Sequence, residues 1–446
     1  MFLRYVVGLN FIFILFVVTV AQRRILNGSE IGETEYKRYV VYLAKSNVSL
    51  LPYDAWLCGG ALVSTDYIIT SAACVEDVQH LYAVAGYNTY VKDVYNDKCT
   101  AFVKKKIVYT CVPQAYKLEY DRLEKWSYID IAIVKVETPY DFSATDQSYK
   151  EHGCDYAPRA IQVNYEDKFQ EPNIDAIALG WGHTEKWRKD DDSTNYNVPK
   201  LQYASILIAN KTECKELYKD YPNMEIVIDK YMICSLGEGN INSQGMLKKH
   251  SPPADGCGNS SQTRLLAFEG TASCEDGAED ADIVFVENTR KNTKAKTNNI
   301  NEKVEDNATI VNMFRKQNIT NNTFDNIKTR RHGICQNDHG GPIVTWVGSH
   351  EVLIGVASVF KVSHEYKCEG PFLYTSTQCS GAFLNCILTS GENQPSSRKD
   401  FCDSPPEVKG FNQIETTISW RDHPDGPAMN ERYLVRPLHP IYGNGP

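Results

Sequence analysis

Short runs rich in β-branched and aromatic residues recur along the chain between clusters of turn-forming residues. These runs are 39–43, 55–63, 67–71, 81–85, 101–109, 131–136, 176–180, 201–208, 343–346 and 351–360. Residues of these types favour strands, and many short strands at regular spacing are typical of β-sandwiches or β-barrels. The pattern therefore predicts an all-β protein and leaves both architectures open.

The first residues follow a different pattern. An apolar run over 5–20 ends in the small-residue stretch Thr19-Val20-Ala21. Such a run is short for a membrane span and predicts a secretory signal peptide over 1–21, with a retained anchor as the alternative. The expected location is secreted and extracellular.

Two regions lack strand patterning. Residues 237–331 are dominated by Asn, Lys, Thr, Ser, Asp and Glu, which predicts a largely disordered insert. This insert has three interpretations: a partner-binding or cleavable loop, a tolerated surface insertion, or retained intron-derived sequence. The proline-containing tail 391–446 is predicted to be irregular.

Composition favours a globular protein and argues against several kinds of partner and cofactor. With 446 residues and 42% hydrophobic content, the chain can bury a sizeable core in one large all-β domain with additions. A net charge of -9, from 47 basic and 56 acidic residues, argues against nucleic acid or an anionic membrane as partner. Neither a metal nor a small-molecule cofactor is expected, because no His/Cys cluster has zinc spacing.

The 14 cysteines fit disulfide bonds in an oxidising compartment. Sequons for N-glycosylation point to the same compartment and to a glycoprotein. They begin at Asn27, Asn47, Asn210, Asn259, Asn307, Asn318 and Asn321.

Several separated motifs resemble those of trypsin-like serine proteases and follow that family's order. They are Ile25-Leu26-Asn27-Gly28, Cys58-Gly59-Gly60-Ala61-Leu62, Thr70-Ser71-Ala72-Ala73-Cys74, Asp130-Ile131-Ala132-Ile133, Gly180-Trp181-Gly182, Met232-Ile233-Cys234, Cys335-Gln336-Asn337-Asp338-His339-Gly340-Gly341-Pro342, Gly355-Val356-Ala357-Ser358 and Leu373-Tyr374-Thr375. The resemblance covers 25–390. It implies the chymotrypsin fold, two packed six-stranded antiparallel β-barrels with a C-terminal helix.

The resemblance also implies a degenerate catalytic triad. Asp130 matches the triad carboxylate, Ala73 stands at the place of the histidine base, and His339 stands at the place of the serine nucleophile. A serine attacks only when an oriented imidazole removes its proton. Losing the serine or the histidine costs about 10⁶-fold in turnover, so we predict a pseudoprotease.

The loop around His339 departs further from the family. Asn337 replaces the glycine that normally supplies an oxyanion N–H. We expect His339 to fill the vacated space and to hydrogen-bond a nearby carboxylate or carbonyl. The alternative is that His339 itself acts as a nucleophile or base with Asp130.

The substrate pocket is altered as well. Gly333 stands at the pocket base, where a trypsin-like enzyme carries aspartate, and Ser358 precedes the substrate-binding strand. Phe360 and Phe372 stand where the family has glycines in the pocket walls. Because an aromatic ring is large, we predict that both rings fill the pocket, unless the backbone shifts and turns them away.

The activation site looks preserved. Cleavage after Arg24 would remove a short pro-segment, 22–24, and free the amine of Ile25, which in the family pairs with the acid at the position of Asp338. The alternative is that Arg23-Arg24 is an ordinary dibasic processing site.

The resemblance implies three disulfides, Cys58–Cys74, Cys214–Cys234 and Cys335–Cys368. The other eight cysteines remain open, with Cys99–Cys111 and Cys257–Cys274 as local guesses. The eight are Cys99, Cys111, Cys154, Cys257, Cys274, Cys379, Cys386 and Cys402.

These features predict a secreted, non-catalytic homologue that acts by binding or regulation in an extracellular protease system. Its expected partners are extracellular proteases, their inhibitors or their substrates. One alternative is a divergent endopeptidase that recruits another serine and histidine to Asp130. A purely structural coat or matrix glycoprotein is a third.

Overall fold

The computed structural model describes residues 29–32, 35–46, 56–76, 80–91, 96–119, 122–182, 197–248, 338–362, 368–388 and 412–425. The predicted signal peptide 1–21 and pro-segment 22–24 lie outside these residues. So do most of the insert and every sequon asparagine except Asn210.

The strands, in chain order, are β1 (Ser29–Glu30), β2 (Val40–Lys45), β3 (Trp56–Leu62), β4 (Tyr67–Thr70), β5 (Leu81–Val84), β6 (Lys105–Pro113), β7 (Ala132–Val136), β8 (Gln162–Val163), β9 (Asp175–Gly180), β10 (Gln202–Ile208), β11 (Met232–Glu238), β12 (Pro342–Val347), β13 (His350–Val362), β14 (Cys368–Ser376) and β15 (Gln413–Thr417). The helices are α1 (Ala72–Glu76), α2 (Lys98–Val103), α3 (Leu123–Trp126), α4 (Asp146–Lys150), α5 (Lys211–Leu217), α6 (Met224–Tyr231) and α7 (Gly381–Leu388), with a short 3₁₀ turn at Asp167–Phe169.

Two closed antiparallel barrels account for most of these strands. In the first barrel the order is β6-β5-β2-β3-β4-β7, and β7 pairs back with β6. In the second it is β9-β10-β11-β14-β13-β12, and β12 pairs back with β9. The predicted chymotrypsin fold of two six-stranded barrels is confirmed.

Each barrel has its own apolar core, and a third cluster joins the two barrels. Leu43, Ile68 and Val134 lie in the first core, and Ile206 and Ile354 lie in the second. The joining cluster includes Tyr42 of β2, Ile133 of β7, Leu179 of β9, Trp181 and Val356 of β13. Side chains from both barrels therefore meet at one buried interface, which is where the site described below is located.

One predicted strand begins too early. Residues 98–103 form helix α2, and β6 starts only at Lys105. The helix begins there because the carboxylate of Asp97 accepts the backbone N–H of Thr100 at 2.7 Å and caps the first turn. The apolar run 101–109 therefore combines the end of a helix with the start of a strand.

The tail is not wholly irregular, which corrects the sequence prediction. Its described part, 412–425, begins with β15, which pairs antiparallel with Tyr109–Pro113 of β6. Trp420 then packs into the first core with 2% of its surface exposed, and its indole N–H donates to Ile107 O at 2.8 Å. The pairing of β15 with β6 and the burial of Trp420 order this part of the tail, although its sequence shows no clear periodicity.

The first residues of the predicted disordered insert are also ordered. Strand β11 continues to Glu238, and Ile241 forms an isolated β-bridge with Leu247. The ammonium of the buried Lys37 bonds to Ser243 O and forms an ion pair with Glu351. The chain is therefore ordered beside the second barrel as far as residue 248, and the next described residue is 338.

The disulfides Cys58–Cys74 and Cys214–Cys234 are confirmed. The guessed Cys99–Cys111 bond is wrong, because Cys99 of α2 pairs with Cys154, at a Cα–Cα distance of 4.8 Å. Cys368 and Cys386 are disulfide-bonded to partners outside the described residues, where the expected partner Cys335 also lies, as do Cys257 and Cys274.

Across the part of the chain that the structure describes, no helix is long and apolar enough to cross a membrane. The predicted C-terminal helix is present as α7, which packs Phe383, Leu384 and Ile387 into the joining cluster.

Candidate active site

Asp130 occupies the centre of the interface between the barrels. It precedes β7 and follows Ile129, whose φ of 55° is a left-handed value that a β-branched residue rarely adopts. Its side chain has no exposed surface. A buried carboxylate in such a position needs donors on both oxygens.

Donors from several described residues reach this carboxylate. Oδ1 accepts the hydroxyl of Ser71 at 2.6 Å and the backbone N–H of Ala73 at 3.0 Å. Oδ2 accepts the hydroxyl of Ser358 at 2.7 Å and Nε2–H of His339 at 2.7 Å. The donors come from both barrels, so the hydrogen bonds of this buried carboxylate link the two barrels.

The backbone around His339 fixes the position of its imidazole. Its carbonyl accepts the N–H of Gly59 at 2.9 Å, and the next amide, of Gly340, donates to Ala357 O at 2.9 Å. Gly340 has a φ of +77°, and a Cβ there would lie 2.4 Å from Thr70 Oγ1. Glycine is therefore required immediately after His339.

The imidazole is almost fully buried, with 6% of the residue exposed. Trp126, at the end of α3, lies beside it with ring centroids 6.2 Å apart. The ring is thus held between Asp130 and an indole, and it fills the space beside the carboxylate as the sequence predicted.

The chemistry open to this arrangement is limited. A hydroxyl becomes a nucleophile when it hydrogen-bonds to the imidazole that removes its proton. Here the hydroxyls of Ser71 and Ser358 both donate to Asp130, and neither residue has exposed surface. The two serines therefore serve as buried hydrogen-bond donors to the carboxylate.

Asp338 precedes His339 and is also buried, but its carboxyl contacts Gly182 rather than the groups around Asp130. Its Oδ1 accepts the N–H of Gly182 at 2.7 Å, and burial raises the pKa of the carboxyl well above its usual range. A Cβ at Gly182 would lie 2.4 Å from this carboxyl, which explains a glycine in the motif Gly180-Trp181-Gly182. Among the described residues Oδ2 has no hydrogen-bond partner.

The order of the motifs, the paired barrels and the position of Asp130 agree with a family comparison. The family model described as Trypsin matches residues 25–245. This part of the chain belongs to the trypsin-like serine protease family.

Individual trypsin-like relatives are distant. Chymotrypsin-C of Rattus norvegicus is 31% identical over 205 residues, which is 44% of this chain and 62% of the relative. Chymotrypsin-C of Mus musculus is 26% identical over 198 residues, 43% of this chain and 59% of the relative. Ovochymase of Halocynthia roretzi is 27% identical over 188 residues, 42% of this chain and 10% of the relative. The matched region therefore spans less than two thirds of each relative's length.

The predicted substrate pocket lies only partly within the described residues. Phe360 and Phe372 are half-buried and pack against the core of the second barrel, on strands whose pairing shifts register on both sides of Val359. Ser358, predicted beside the pocket, directs its hydroxyl to Asp130. Gly333 lies outside the described residues, so pocket filling stays a prediction.

Other predicted residues of this trypsin-like site lie outside the described residues. These are the oxyanion-loop residue Asn337, the activation residues Arg24 and Ile25, and Cys335. Across the described residues no group of three or more His, Cys, Asp or Glu side chains is placed to hold a metal ion.

Two residues of the site, Ser71 and Trp126, were not among those predicted from the sequence. Ser71 lies two positions before Ala73, and its hydroxyl was the available signal, but an isolated serine does not reveal its direction. Trp126 lies four positions before Asp130 on a helix that was not predicted. Both acquire their roles only through long-range packing.

Proposed function

We propose that this chain is a secreted, non-catalytic serine protease homologue that acts by binding or regulation in an extracellular protease system. The observation that carries the proposal is the hydrogen bond from His339 to Asp130. The residue aligned with the nucleophile is itself a donor to the triad carboxylate. Position 73 is alanine, and the hydroxyls of Ser71 and Ser358 bond directly to Asp130. Among the described residues, therefore, no imidazole lies between a hydroxyl and Asp130.

We expect this arrangement to lower the rate of peptide hydrolysis severely. Serine attack and proton transfer act as a unit, and removing either partner lowers turnover by about 10⁶-fold. Binding does not need that unit. The paired barrels, their cores and the disulfide that joins β3 to α1 are all present, and this folded framework supports a binding role.

A fluorophosphonate probe, which reacts only with an activated serine, tests the absence of catalysis. The secreted protein is labelled before and after cleavage at Arg24, beside an active trypsin-like protease. We expect no labelling in either form. Labelling in either form contradicts the proposal, and its loss in Ser71→Ala or Ser358→Ala would identify the recruited hydroxyl.

A divergent endopeptidase is the second candidate, and one observation favours it. Ser71, Ser358 and His339 all lie within hydrogen-bond reach of Asp130. For catalysis, one of the hydroxyls would have to leave the carboxylate, bond to the imidazole and become accessible to a peptide. Hydrolysis of a mixed peptide library, lost in His339→Ala but retained in His350→Ala, would support this candidate.

The binding role has its own test. An active trypsin-like protease is assayed with a protein inhibitor and a protein substrate, with and without the purified chain in excess. We expect the chain to change the rate of substrate cleavage or of inhibition, with no cleavage by the chain alone. Unchanged rates in both assays over a panel of such proteases contradict a regulatory role.

Secretion and glycosylation belong to the same proposal. Asn210 is exposed, and its side chain accepts the N–H of Thr212 at 2.9 Å, so this sequon is accessible at the start of α5. We expect the protein in the culture medium to begin after the signal peptide. Glycosidase treatment should increase its mobility, and Asn210→Gln should remove one glycan.

A further inference from the structure

The last described segment, residues 412–425, is here named the C-terminal strap. After β15 it crosses the first barrel and ends in a cluster of aromatic and imidazole rings. The rings of His80, Trp420 and His423 meet pairwise, with centroid distances of 4.8 Å for His80–Trp420, 4.8 Å for His80–His423 and 4.6 Å for Trp420–His423. Tyr82 completes the cluster at 5.1 Å from Trp420.

The hydrogen bonds of His423 require its neutral form. The N–H of Asp425 donates to His423 Nδ1 at 3.0 Å, so Nδ1 must be unprotonated. The proton is therefore on Nε2, which lies 2.7 Å from Ser46 Oγ at the end of β2. This one imidazole connects the strap to the barrel on one side and to the strap's own backbone on the other.

The second histidine has a different role. Nε2 of His80 lies 2.9 Å from the carbonyl of Ser419, which can only accept, so this nitrogen carries the proton. His80 therefore donates to the backbone of the strap, whereas His423 accepts from it.

Some neighbours of His423 disfavour its protonated form and one favours it, and the net effect is to disfavour it. His80 and Lys106 are the neighbours that disfavour the cationic form of His423, and Lys106 Nζ lies 5.5 Å from the Trp420 ring. Asp425 favours the cation, although its carboxylate already accepts the hydroxyl of Tyr82. Burial and the neighbouring His80 lower the pKa of His423 below its usual range.

We propose that His423 is an acid-sensitive latch whose protonation at Nδ1 breaks the bond from Asp425 and releases the C-terminal strap from β6. The sign follows from linkage. Because the docked histidine binds protons less readily than the released one, docking is complete above a pH of about 6.5, the ordinary value for histidine. Docking weakens as the pH falls below that value.

Release has a defined structural consequence. Strand β15 covers Tyr109–Pro113 of β6, and Trp420 covers the outer end of the first core. Release of the strap exposes the edge of β6 at Tyr109–Pro113 and the apolar surface that Trp420 covers. Neither surface includes Asp130. This proposal does not depend on whether the chain is catalytic.

Hydrogen–deuterium exchange of the full secreted chain tests the latch. Exchange of peptides covering 412–425 and 109–113 is measured at pH 7.5 and pH 5.5, with correction for the intrinsic rate. We expect protection in both peptides to fall by between about twofold and tenfold at the lower pH, the upper limit for one histidine with an ordinary free pKa. Equal protection at the two pH values overturns the proposal.

Two glutamine variants assign the effect. His423→Gln keeps an acceptor and a donor but does not titrate, so protection of the strap should no longer depend on pH. His80→Gln keeps a donor for Ser419 O but removes the neighbouring imidazole that disfavours the His423 cation, so it should leave a smaller dependence in the same direction. A full pH dependence in His423→Gln, or its complete loss in His80→Gln alone, overturns the assignment to His423.

Discussion

The imidazole of His339 and the carboxylate of Asp130 are joined by a hydrogen bond of 2.7 Å between residues 209 positions apart in the sequence. The carboxylate belongs to the first barrel and the imidazole to the second, so this contact ties the barrels together at the buried interface. It gives Asp130 a structural partner, and the contribution of this contact to the free energy of unfolding can be measured.

Replacing His339 by alanine should destabilise the fold. The variant leaves Asp130 with one fewer donor in a buried site, and a hydrogen bond to a charged group contributes about 1.5–3 kcal/mol. Urea unfolding measures the loss. The exposed His350→Ala is the matched control and should change the free energy of unfolding by less than about 0.5 kcal/mol. Equal effects would show that the contact is energetically unimportant.

Ser71 should matter to stability although it was not predicted to belong to the site. Ser71→Ala removes a buried donor from Asp130 Oδ1 and should cost about 1–3 kcal/mol of unfolding free energy. Ser143 also donates to an aspartate, Asp141, but on the exposed surface. Ser143→Ala should therefore cost less than about 0.5 kcal/mol, and the reverse ranking would contradict this account.

Asp338 predicts a pH dependence with a definite sign. Because burial raises the pKa of its carboxyl, the folded protein retains this proton at pH values where the unfolded chain has lost it. Its contribution to stability is full below the ordinary aspartate pKa and decreases as the pH rises. Asp338→Asn should abolish that decrease in the uncleaved protein, measured by unfolding between about pH 4 and pH 8.

Cleavage at Arg24 provides the control for this prediction. If the new amine of Ile25 pairs with Asp338, the acid gains a cation and asparagine becomes the destabilising residue, by about 3–5 kcal/mol. If Asp338→Asn changes the free energy of unfolding by the same amount before and after cleavage, the amine of Ile25 does not reach Asp338.

Lys37 should hold the ordered start of the insert. Its buried ammonium contacts Glu351 and Ser243 O, so Lys37→Ala leaves a half-buried carboxylate without its cation and should cost about 3–5 kcal/mol. Hydrogen exchange over 240–248 should rise in the same variant. Lys168→Ala, which breaks the exposed pair with Glu166, should cost no more than about 1 kcal/mol.

Trp420 should anchor the strap by burial. Trp420→Ala removes a large ring from the first core and should cost about 3–5 kcal/mol for the transition that includes the strap. Ile414, on β15 but with 43% of its surface exposed, is the control, and Ile414→Ala should have a much smaller effect. A small effect of Trp420→Ala would indicate that β15 pairing alone holds the strap.

Most of the fold was predictable because its signals are local. The strand runs, the motif order and the glycines that allow close approach all appear in short stretches of sequence. The errors occurred where local signals conflicted or were weak: the cap at Asp97 turned the start of one strand into a helix, and β15 lacked a clear pattern. Cys99 pairs with Cys154, 55 positions away, which no local spacing indicated.

By itself, the sequence determined the trypsin-like family, the two-barrel fold, two of the disulfides and the presence of His339 and Ala73 at their motif positions. Only the tertiary structure decided which groups surround Asp130, that the tail closes over the first barrel, and that the insert begins with an ordered turn. The physical reason is separation along the chain: the bonds from Ser71, His339 and Ser358 to Asp130 span 59, 209 and 228 positions. The direction of a buried polar side chain depends on partners that the folded barrels bring together.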